Sequence, residues 1–242
     1  MNLRSSFSKF LRKLYFLSFV FSLSASPVYA EDEYDHKLGA QLYQLCSACH
    51  GPEGYGKREL MAPSIAGLPE WYIVNQLKKF RNGGRGAHPA DISGLRMRPM
   101  ARTLRKDSDL LTVAHHVSKF KPRQPKDEIT DGDPVRGKTL YLTCTACHGE
   151  KSEGKKELKA PTQVYLEDWY MLEQLKKFKH GLRGANPKDV EGMTMRPIVM
   201  ATLPDEQAMK DVIAYIRQTA REATKADQKA TTTPTSTPAA PK

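Results

Sequence analysis

Two pentapeptides in this chain carry the same set of reactive side chains. Cys46-Ser47-Ala48-Cys49-His50 and Cys144-Thr145-Ala146-Cys147-His148 each place two thiols three positions apart, with a histidine directly after the second. Thiols at this spacing add to the vinyl groups of a haem, and the adjacent imidazole binds the iron. The sequence therefore predicts two haem c groups, one attached through Cys46 and Cys49 with His50 on the iron, and one through Cys144 and Cys147 with His148.

Two other interpretations of these cysteines exist. A Cys-x-x-Cys pair also occurs in redox-active disulfides and as half of a zinc site. A redox disulfide does not require the histidine that follows, and a zinc site would have to combine both pentapeptides. The four cysteines of the chain all lie in the pentapeptides, so no structural disulfide is available if both bind haem.

The pentapeptides belong to a longer internal repeat. His50 and His148 are 98 residues apart, and the same offset relates many other positions without a gap. The matched segments include Ala62-Pro63 and Ala160-Pro161, Trp71-Tyr72 and Trp169-Tyr170, Gln76 to Phe80 and Gln174 to Phe178, and Met97-Arg98-Pro99 and Met195-Arg196-Pro197. This pattern indicates a duplicated domain of about 90 residues, a size at which a covalently held haem would supply part of the core.

Methionines recur at one place in this repeat. Met97 and Met195 are equivalent positions, each two residues before a proline. The segment from Gly83 to Pro99 is rich in glycine and basic residues, which predicts a loop. A thioether from such a loop would be a suitable sixth ligand for a haem iron and would raise its reduction potential. Met100 and Met200 are alternatives, but neither has a methionine opposite it in the repeat.

Apolar spacing and capping residues predict helices throughout both repeats. Asp35 is placed to cap the first helix, and Asp133 followed by Pro134 is typical of a helix start. Further helices are expected over residues 70–82, 107–120, 168–180 and 205–221. We therefore expect an all-α protein of two tandem domains, each with a few helices packed around one covalently bound haem.

The two ends of the chain have compositions of their own. Residues 1–30 combine a basic start, a short apolar run and small residues before Ala30, which is typical of a secretory signal cleaved after Ala30. Residues 222–242 are mostly Ala, Thr, Pro and Lys and are expected to be a disordered tail. Domain one would then cover residues 31–121, a linker 122–133, and domain two 134–221.

The net charge of the chain indicates the kind of partner that it would bind. The formal net charge is +11, and removal of the four basic residues of the leader would leave +7. In an exported protein this favours redox partners with acidic faces over nucleic acid. We expect no small-molecule substrate, and a membrane association only if the leader is not cleaved.

The ordered set of motifs resembles the diheme cytochrome c₄ family of class I c-type cytochromes. The resemblance covers about Asp35 to Arg221 and includes both haem motifs, the Ala-Pro segments, the Tyr-x-x-x-Gln-Leu-x-x-Phe helices and the Met-x-Pro segments. It implies that the carbonyls of Pro63 and Pro161 orient the two haem histidines, and that His and Met ligate both irons. His116 departs from the family, which usually has an aromatic residue there. In the closing helices the repeat shifts by one residue, since Leu104 and Leu203 are 99 apart, and on that offset His116 falls opposite Tyr215.

The resemblance also implies a function. A cytochrome of this family is a periplasmic electron shuttle that feeds a terminal oxidase or another acceptor, and it is not an enzyme. Irons that each hold two protein ligands have no open position for a substrate. The alternative is a haem-bearing subunit of a periplasmic dehydrogenase, or a catalytic cytochrome, for example in the oxidation of a sulfur compound.

Overall fold

The computed structural model describes the backbone of residues 35–232 and the side chains of residues 35–225; the expected leader and the last ten residues of the expected tail lie outside this range. Within it the protein is all-α, as expected, with no strand beyond two isolated bridges. The helices are α1 (His36–His50), α2 (Glu70–Asn82), α3 (Ile92–Thr103), α4 (Asp107–Ser118), α5 (Pro134–His148), α6 (Asp168–Lys179), α7 (Val190–Thr202) and α8 (Glu206–Thr232). None of the described helices is long and apolar enough to cross a bilayer.

The first helix of each repeat begins at the residue that the sequence indicates. The Asp35 carboxylate accepts a hydrogen bond from the Leu38 amide at 2.8 Å. Asp133 accepts from the Val135 amide at 2.8 Å, and Pro134 occupies the first turn. These contacts satisfy amide groups that have no partner inside the helix, so both helices have a fixed start.

Each domain packs its first helix against its last. In domain one α1 contacts α4, and α2 contacts both α3 and α4; in domain two α5 contacts α8, and α6 contacts both α7 and α8. The domain-one core includes Tyr43, Tyr72, Leu110 and Val113. The domain-two core includes Tyr141, Met171, Met209 and Ile213. The same arrangement thus occurs twice, as the repeat predicts.

In domain two the first and last helices approach each other closely at Gly137. A Cβ atom at Gly137 would lie 1.9 Å from the carbonyl oxygen of Asp211 and 3.0 Å from the Tyr215 Cβ. Only glycine permits this approach. The Tyr215 ring then lies 5.3 Å from the ring of Tyr141, while in domain one His116 lies 5.6 Å from Tyr43. His116 therefore takes the place of Tyr215 in the packing.

The prediction of a loop from Gly83 to Pro99 is wrong for the second half of this segment, which is helical. Residues from Ile92 onward form α3, with Met97 and Pro99 inside the helix, and α7 likewise contains Met195 and Pro197. Proline removes one helical hydrogen bond, which is why the segment was predicted to be irregular. The start of α3 is held by a local cap and by a tertiary contact, because the buried Asp91 carboxylate accepts from the Gly94 amide at 3.0 Å and pairs with Lys177 of domain two at 2.7 Å.

The final helix also differs from the prediction. It was expected to end near Arg221, but α8 continues to Thr232 and covers the first part of the segment expected to be disordered. An alanine-rich sequence has a high intrinsic helix propensity, and a helix already fixed by packing extends at low cost. Residues 222–232 are therefore helical, in contrast to the expectation from composition.

Candidate haem sites

The two pentapeptides form the last turns of α1 and α5, and each borders a cavity. In domain one the cavity is lined by Cys46, Cys49 and His50, and in domain two by Cys144, Cys147 and His148. Helical geometry places residues three and four apart on one face, so both thiols and the imidazole face the same space. Apolar side chains supply most of the remaining walls, among them Leu68, Ile73, Phe80 and Val117 in domain one, and Leu175, Phe178, Val199 and Ile213 in domain two.

A backbone carbonyl orients each histidine. The Nδ1 atom of His50 lies 2.8 Å from the carbonyl oxygen of Pro63, and Nδ1 of His148 lies 3.0 Å from that of Pro161. Because a carbonyl only accepts, Nδ1 carries the proton and Nε2 keeps its lone pair. Both prolines therefore lie where the resemblance to the family implies, with Nε2 left available to a metal.

The loops that carry these prolines are held by repeated contacts. Tyr43 donates its hydroxyl to the carbonyl of Gly51 at 2.6 Å, just after the haem motif. Lys57 donates to the Ala48 carbonyl at the end of α1, and its backbone pairs with Ala62. Domain two makes the same contacts with Tyr141, Lys155 and Ala160. The position of each proline is thus fixed by its own domain.

Burial sets the protonation states of the histidines and thiols. Burial lowers the pKa of His50 and of His148, outweighing the opposing hydrogen bonds to the prolines, so both imidazoles are neutral at pH 7. Burial, together with the neighbouring cysteine, raises the pKa of Cys46 and of Cys144 to about 11. Reactive disulfide motifs have the opposite shift, so a redox disulfide does not match these sites.

The zinc interpretation does not match either. Among the described residues, no group of three or more His, Cys, Asp or Glu side chains is arranged to hold a metal ion. The two pentapeptides instead border separate cavities. An apolar cavity with two thiols at its rim and a neutral imidazole nitrogen facing into it fits a covalently attached haem.

The structure separates the candidate methionines. Met97 and Met100 both line the domain-one cavity. Met195 lines the domain-two cavity and packs against its core, whereas Met200 is 47% exposed and is absent from the cavity lining. Of the two alternatives, Met200 does not line its cavity, whereas Met100 does.

Both cavities extend to the contact between the domains. Tyr72, Gln76 and Lys79 of domain one line the domain-two cavity. Tyr170, Gln174 and Lys177, their equivalents in domain two, line the domain-one cavity. Each domain therefore completes the site of the other.

A buried polar network joins the domains at this contact. The Arg85 guanidinium donates to the side-chain oxygens of Gln76 and Gln174, both at 2.7 Å. Arg183 donates to Gln174 at 3.0 Å and to Gln76 at 3.5 Å. Each arginine also lies over a phenylalanine ring of its own domain, Phe80 or Phe178. The two halves of the network are related by the sequence repeat.

Two crossed ion pairs flank the network. Lys79 pairs with Asp189 of domain two at 2.5 Å, and Lys177 pairs with Asp91 of domain one at 2.7 Å. All four side chains are at least nine-tenths buried. Sequence reasoning found Lys79 and Lys177 only as members of the repeat and did not identify Asp91 and Asp189. The available signal was that each pair is identical in the two copies.

Comparisons with known proteins agree with this geometry. The cytochrome c family model matches twice, over residues 36–121 and 134–220. The chain is 31% identical to cytochrome c4 of Thiocapsa roseopersicina over 158 residues, which cover 59% of this chain and 73% of that protein. It is 33% identical to the thiosulfate dehydrogenase electron acceptor of Thiomonas intermedia over 152 residues, 59% of this chain and 66% of that protein, just under two thirds of its length.

A solved structure shows the same architecture. The crystal structure of reduced recombinant cytochrome c4 from Pseudomonas stutzeri matches with a TM-score of 0.61 at 26% identity, covering 76% of this chain and 97% of that one. With one haem-binding pentapeptide in each matched domain, the chain has two covalently bound haem c groups. It belongs to the cytochrome c family, as a diheme electron carrier of the cytochrome c4 type.

Proposed function

We propose that this diheme cytochrome is a periplasmic electron carrier that passes electrons from a respiratory donor protein to a terminal oxidase or another acceptor, with each iron held between a histidine and a methionine. The observation that carries the proposal is the pairing, at each cavity, of a neutral histidine nitrogen with a methionine from the helix that closes the site. Such ligation fills both axial positions, which favours electron transfer over reaction with a substrate.

The histidines supply the first ligand of each iron in this proposal. His50 and His148 are held by the carbonyls of Pro63 and Pro161 so that Nε2 is directed away from the loop. Since both imidazoles are neutral, no proton has to be displaced when the metal binds. The bound haem supplies one-electron chemistry at its iron, and the protein sets its orientation and potential.

The methionines supply the second ligand. Met195 lines its cavity while Met200 is largely exposed, which supports Met195 in domain two. In domain one both Met97 and Met100 line the cavity, and Met97 is favoured because it is the equivalent of Met195 in the repeat. A thioether favours reduced iron and raises the potential, as suits a carrier.

Optical spectroscopy of the purified holoprotein tests this ligation. Oxidised iron bound to a methionine sulfur has a far-red charge-transfer band, which we expect at the intensity of two haems per chain. Met97→Leu and Met195→Leu should each remove about half of the band. Met100→Leu and Met200→Leu are the matched controls and should leave it intact. Loss of the band in a control variant, with an unchanged band in Met97→Leu or Met195→Leu, would reassign the ligand.

The chain's partners are proposed to be proteins with acidic faces. The formal charge of +11, or +7 without the leader, favours association with such surfaces and makes the rate of electron transfer fall with ionic strength. Export is proposed from the leader, with cleavage after Ala30. Mass spectrometry of the protein from a periplasmic extract should give a chain that begins at Glu31; retention of the leader would instead indicate a membrane-tethered form.

A second candidate function is to accept electrons from a sulfur-oxidising dehydrogenase. It is favoured by the similarity to a protein named thiosulfate dehydrogenase electron acceptor. Here the chain would be the haem-bearing partner that accepts electrons from the enzyme, and the catalysis would lie elsewhere. Rapid reduction of the oxidised holoprotein by such a dehydrogenase and thiosulfate, but by neither alone, would support it. Binding of thiosulfate to the isolated cytochrome would contradict the carrier assignment.

A further inference from the structure

The peptide group between Pro63 and Ser64 makes a hydrogen bond at each of its ends. Its carbonyl oxygen, that of Pro63, lies 2.8 Å from Nδ1 of His50. Its amide, that of Ser64, donates to the Glu167 carboxylate of domain two at 2.8 Å. One planar, conjugated unit therefore connects a carboxylate of domain two to the haem histidine of domain one.

The Glu167 side chain is used for this contact and not for its own helix. Glu167 directly precedes α6 and is 9% exposed, but it makes no side-chain capping hydrogen bond to that helix. Oε1 accepts from the Ser64 amide, whereas Oε2 is buried and has no hydrogen-bond partner in the described part of the chain. A buried carboxyl oxygen without a partner lowers stability, so its presence points to a role other than helix capping.

Charged groups from several elements surround Glu167. They are Asp168 in α6, Arg217 in α8, Asp127 and Glu128 in the linker, and Arg58 in the domain-one loop. Arg217 pairs with Asp127 at 2.7 Å and Arg58 with Glu128 at 2.9 Å, so these four charges partly offset one another. Burial raises the pKa of Glu167, although the Ser64 amide and Arg217 act in the opposite direction. Glu167 therefore takes up a proton at a higher pH than an exposed glutamate does.

Domain two has no carboxylate at the equivalent place. Thr162 is the equivalent of Ser64, and the peptide group before it orients His148 in the same way. The position equivalent to Glu167 is Pro69, whose side chain cannot accept a hydrogen bond from Thr162. The two haem histidines thus share the same kind of carbonyl partner, and the structure connects the one in domain one to an ionisable group.

Hydrogen bonds at the two ends of a peptide group strengthen each other. A carboxylate that accepts from the Ser64 amide displaces electron density toward the Pro63 oxygen, which then accepts more strongly from Nδ1 of His50. An imidazole whose N–H group is held more strongly is a more basic ligand at its other nitrogen. A more basic ligand stabilises oxidised iron, which carries one more positive charge than reduced iron.

We propose that Glu167 of domain two is a positioning residue for the domain-one haem, whose reduction potential its ionised carboxylate lowers through the Pro63–Ser64 peptide group and His50. This inference rests on the proposed ligation of the domain-one iron by His50. When a donor protein delivers one electron to that iron, the Glu167 carboxylate takes up part of a proton from water, because reduction and protonation favour each other. The O–H bond of the carboxyl group is the bond that forms.

The experiment measures the reduction potential of each haem separately in the full-length holoprotein. NMR signals of the thioether groups, assigned through the cysteines of each motif, report the oxidation state of each haem during a redox titration. The domain-one potential of the wild-type protein should fall as pH rises through the pKa of Glu167, within a range of about pH 4 to pH 9, because the ionised carboxylate stabilises oxidised iron.

Glu167→Gln keeps an acceptor for the Ser64 amide and removes the ionisable group. This variant should lose the pH-dependent fall. Above the pKa of Glu167 it should shift the reduction equilibrium of the domain-one haem toward the reduced form by up to about tenfold, which corresponds to ~59 mV for one electron. In the reduced protein the Nδ1 proton of His50 should move upfield, because a weaker hydrogen bond deshields it less.

Glu128→Gln is the matched control. Glu128 is half-exposed and pairs with Arg58, so the same chemical change removes a nearby carboxylate that does not contact the Pro63–Ser64 peptide group. It should leave the domain-one potential, its pH profile and the His50 proton unchanged. A purely structural role of Glu167 would lower the stability of Glu167→Gln without changing the pH profile, and would overturn the inference. A shift of equal size in both haems would overturn it as well.

Failure of the proposed function would look different. A wild-type protein without the far-red band, or with irons that readily bind carbon monoxide, would contradict the histidine and methionine ligation and the carrier proposal, whatever Glu167 does. An intact band together with a domain-one potential that does not respond to Glu167→Gln would contradict this inference alone.

Discussion

The two domains of this cytochrome share one scaffold and differ in what surrounds it. Each ends its first helix in a haem motif, orients the histidine with a proline carbonyl and closes the cavity with a methionine-bearing helix. The differences lie at single positions, such as Ser93 against Glu191 and His116 against Tyr215. Duplication thus preserves the contacts that hold the haem, while substitutions at the rim adjust charge.

The domains also depend on one another to different degrees. The backbone amide of Ser64, next to the proline that orients His50, donates to Glu167 of domain two at 2.8 Å. The position equivalent to Glu167 is Pro69, so domain two receives no such contact in return. The nearby hydroxyl contact is common to both domains, since Ser64 donates to the Gly54 carbonyl as Thr162 does to that of Ser152. The proximal side of domain one is therefore held partly by its neighbour.

The largest expected effect is the loss of a haem. Replacing both cysteines of one motif, Cys46→Ser with Cys49→Ser, or Cys144→Ser with Cys147→Ser, should leave one covalent haem per chain, because no thiol remains to form the thioether bonds. Quantifying haem against protein measures this. The matched pair of variants should give the same stoichiometry, and two haems remaining in either variant would contradict the assignment of the sites.

The second largest expected effect is the loss of stability when a crossed ion pair between the domains is broken. Lys79→Met and Lys177→Met each leave a buried aspartate without its cation, which should lower the free energy of unfolding by about 4 kcal/mol. Denaturant unfolding of the holoprotein measures the loss. Lys78→Met is the control, because Lys78 is half-exposed and pairs with the exposed Asp107, and should cost under about 1 kcal/mol. Equal losses of unfolding free energy in all three variants would show that the burial of an ion pair does not determine its contribution to stability.

Shortening a core side chain should lower the stability of either domain by the same amount. Leu110 and Met209 are fully buried in α4 and α8 and occupy equivalent places in the repeat once its one-residue shift is included. Leu110→Ala and Met209→Ala should each destabilise their domain by about 3 kcal/mol, through lost apolar contact and a cavity. Thermal unfolding followed by circular dichroism checks this, with the half-exposed Leu111→Ala as the control.

The smallest expected effect is a pH dependence of stability that arises in domain one only. Burial, and to a lesser extent the nearby His36, lowers the pKa of His116. Since the unfolded chain takes up this proton more readily than the folded one, stability should fall as pH decreases below about 6.5, the ordinary histidine value, until the folded-state pKa is passed. His116→Tyr, which copies Tyr215, should reduce this loss between pH 7 and pH 5. An identical pH profile in both proteins would show that His116 is not its source.

Much of the fold follows from local sequence. The caps at Asp35 and Asp133 and the apolar spacing of α2 and α6 are short-range patterns, and their helices begin where the patterns predict. The helices α3 and α7 were not predicted, because each contains a proline and follows a glycine-rich segment. The Asp91 cap at the start of α3 is a local contact, but the ion pair of Asp91 is not. Lys177, which pairs with Asp91, is 86 residues away along the chain. No local pattern reports such a contact.

The sequence by itself determined that this chain has two haem motifs on a duplicated scaffold, because thiol spacing and a fixed repeat are properties of the chain alone. Tertiary structure decided which side chains complete each cavity. Lys79, Gln76 and Tyr72 serve the cavity of the opposite domain, and their equivalents do the same in return. The physical reason is that burial and charge act through space, so a residue's effect on a haem depends on which domain surface it faces, not on its distance along the chain.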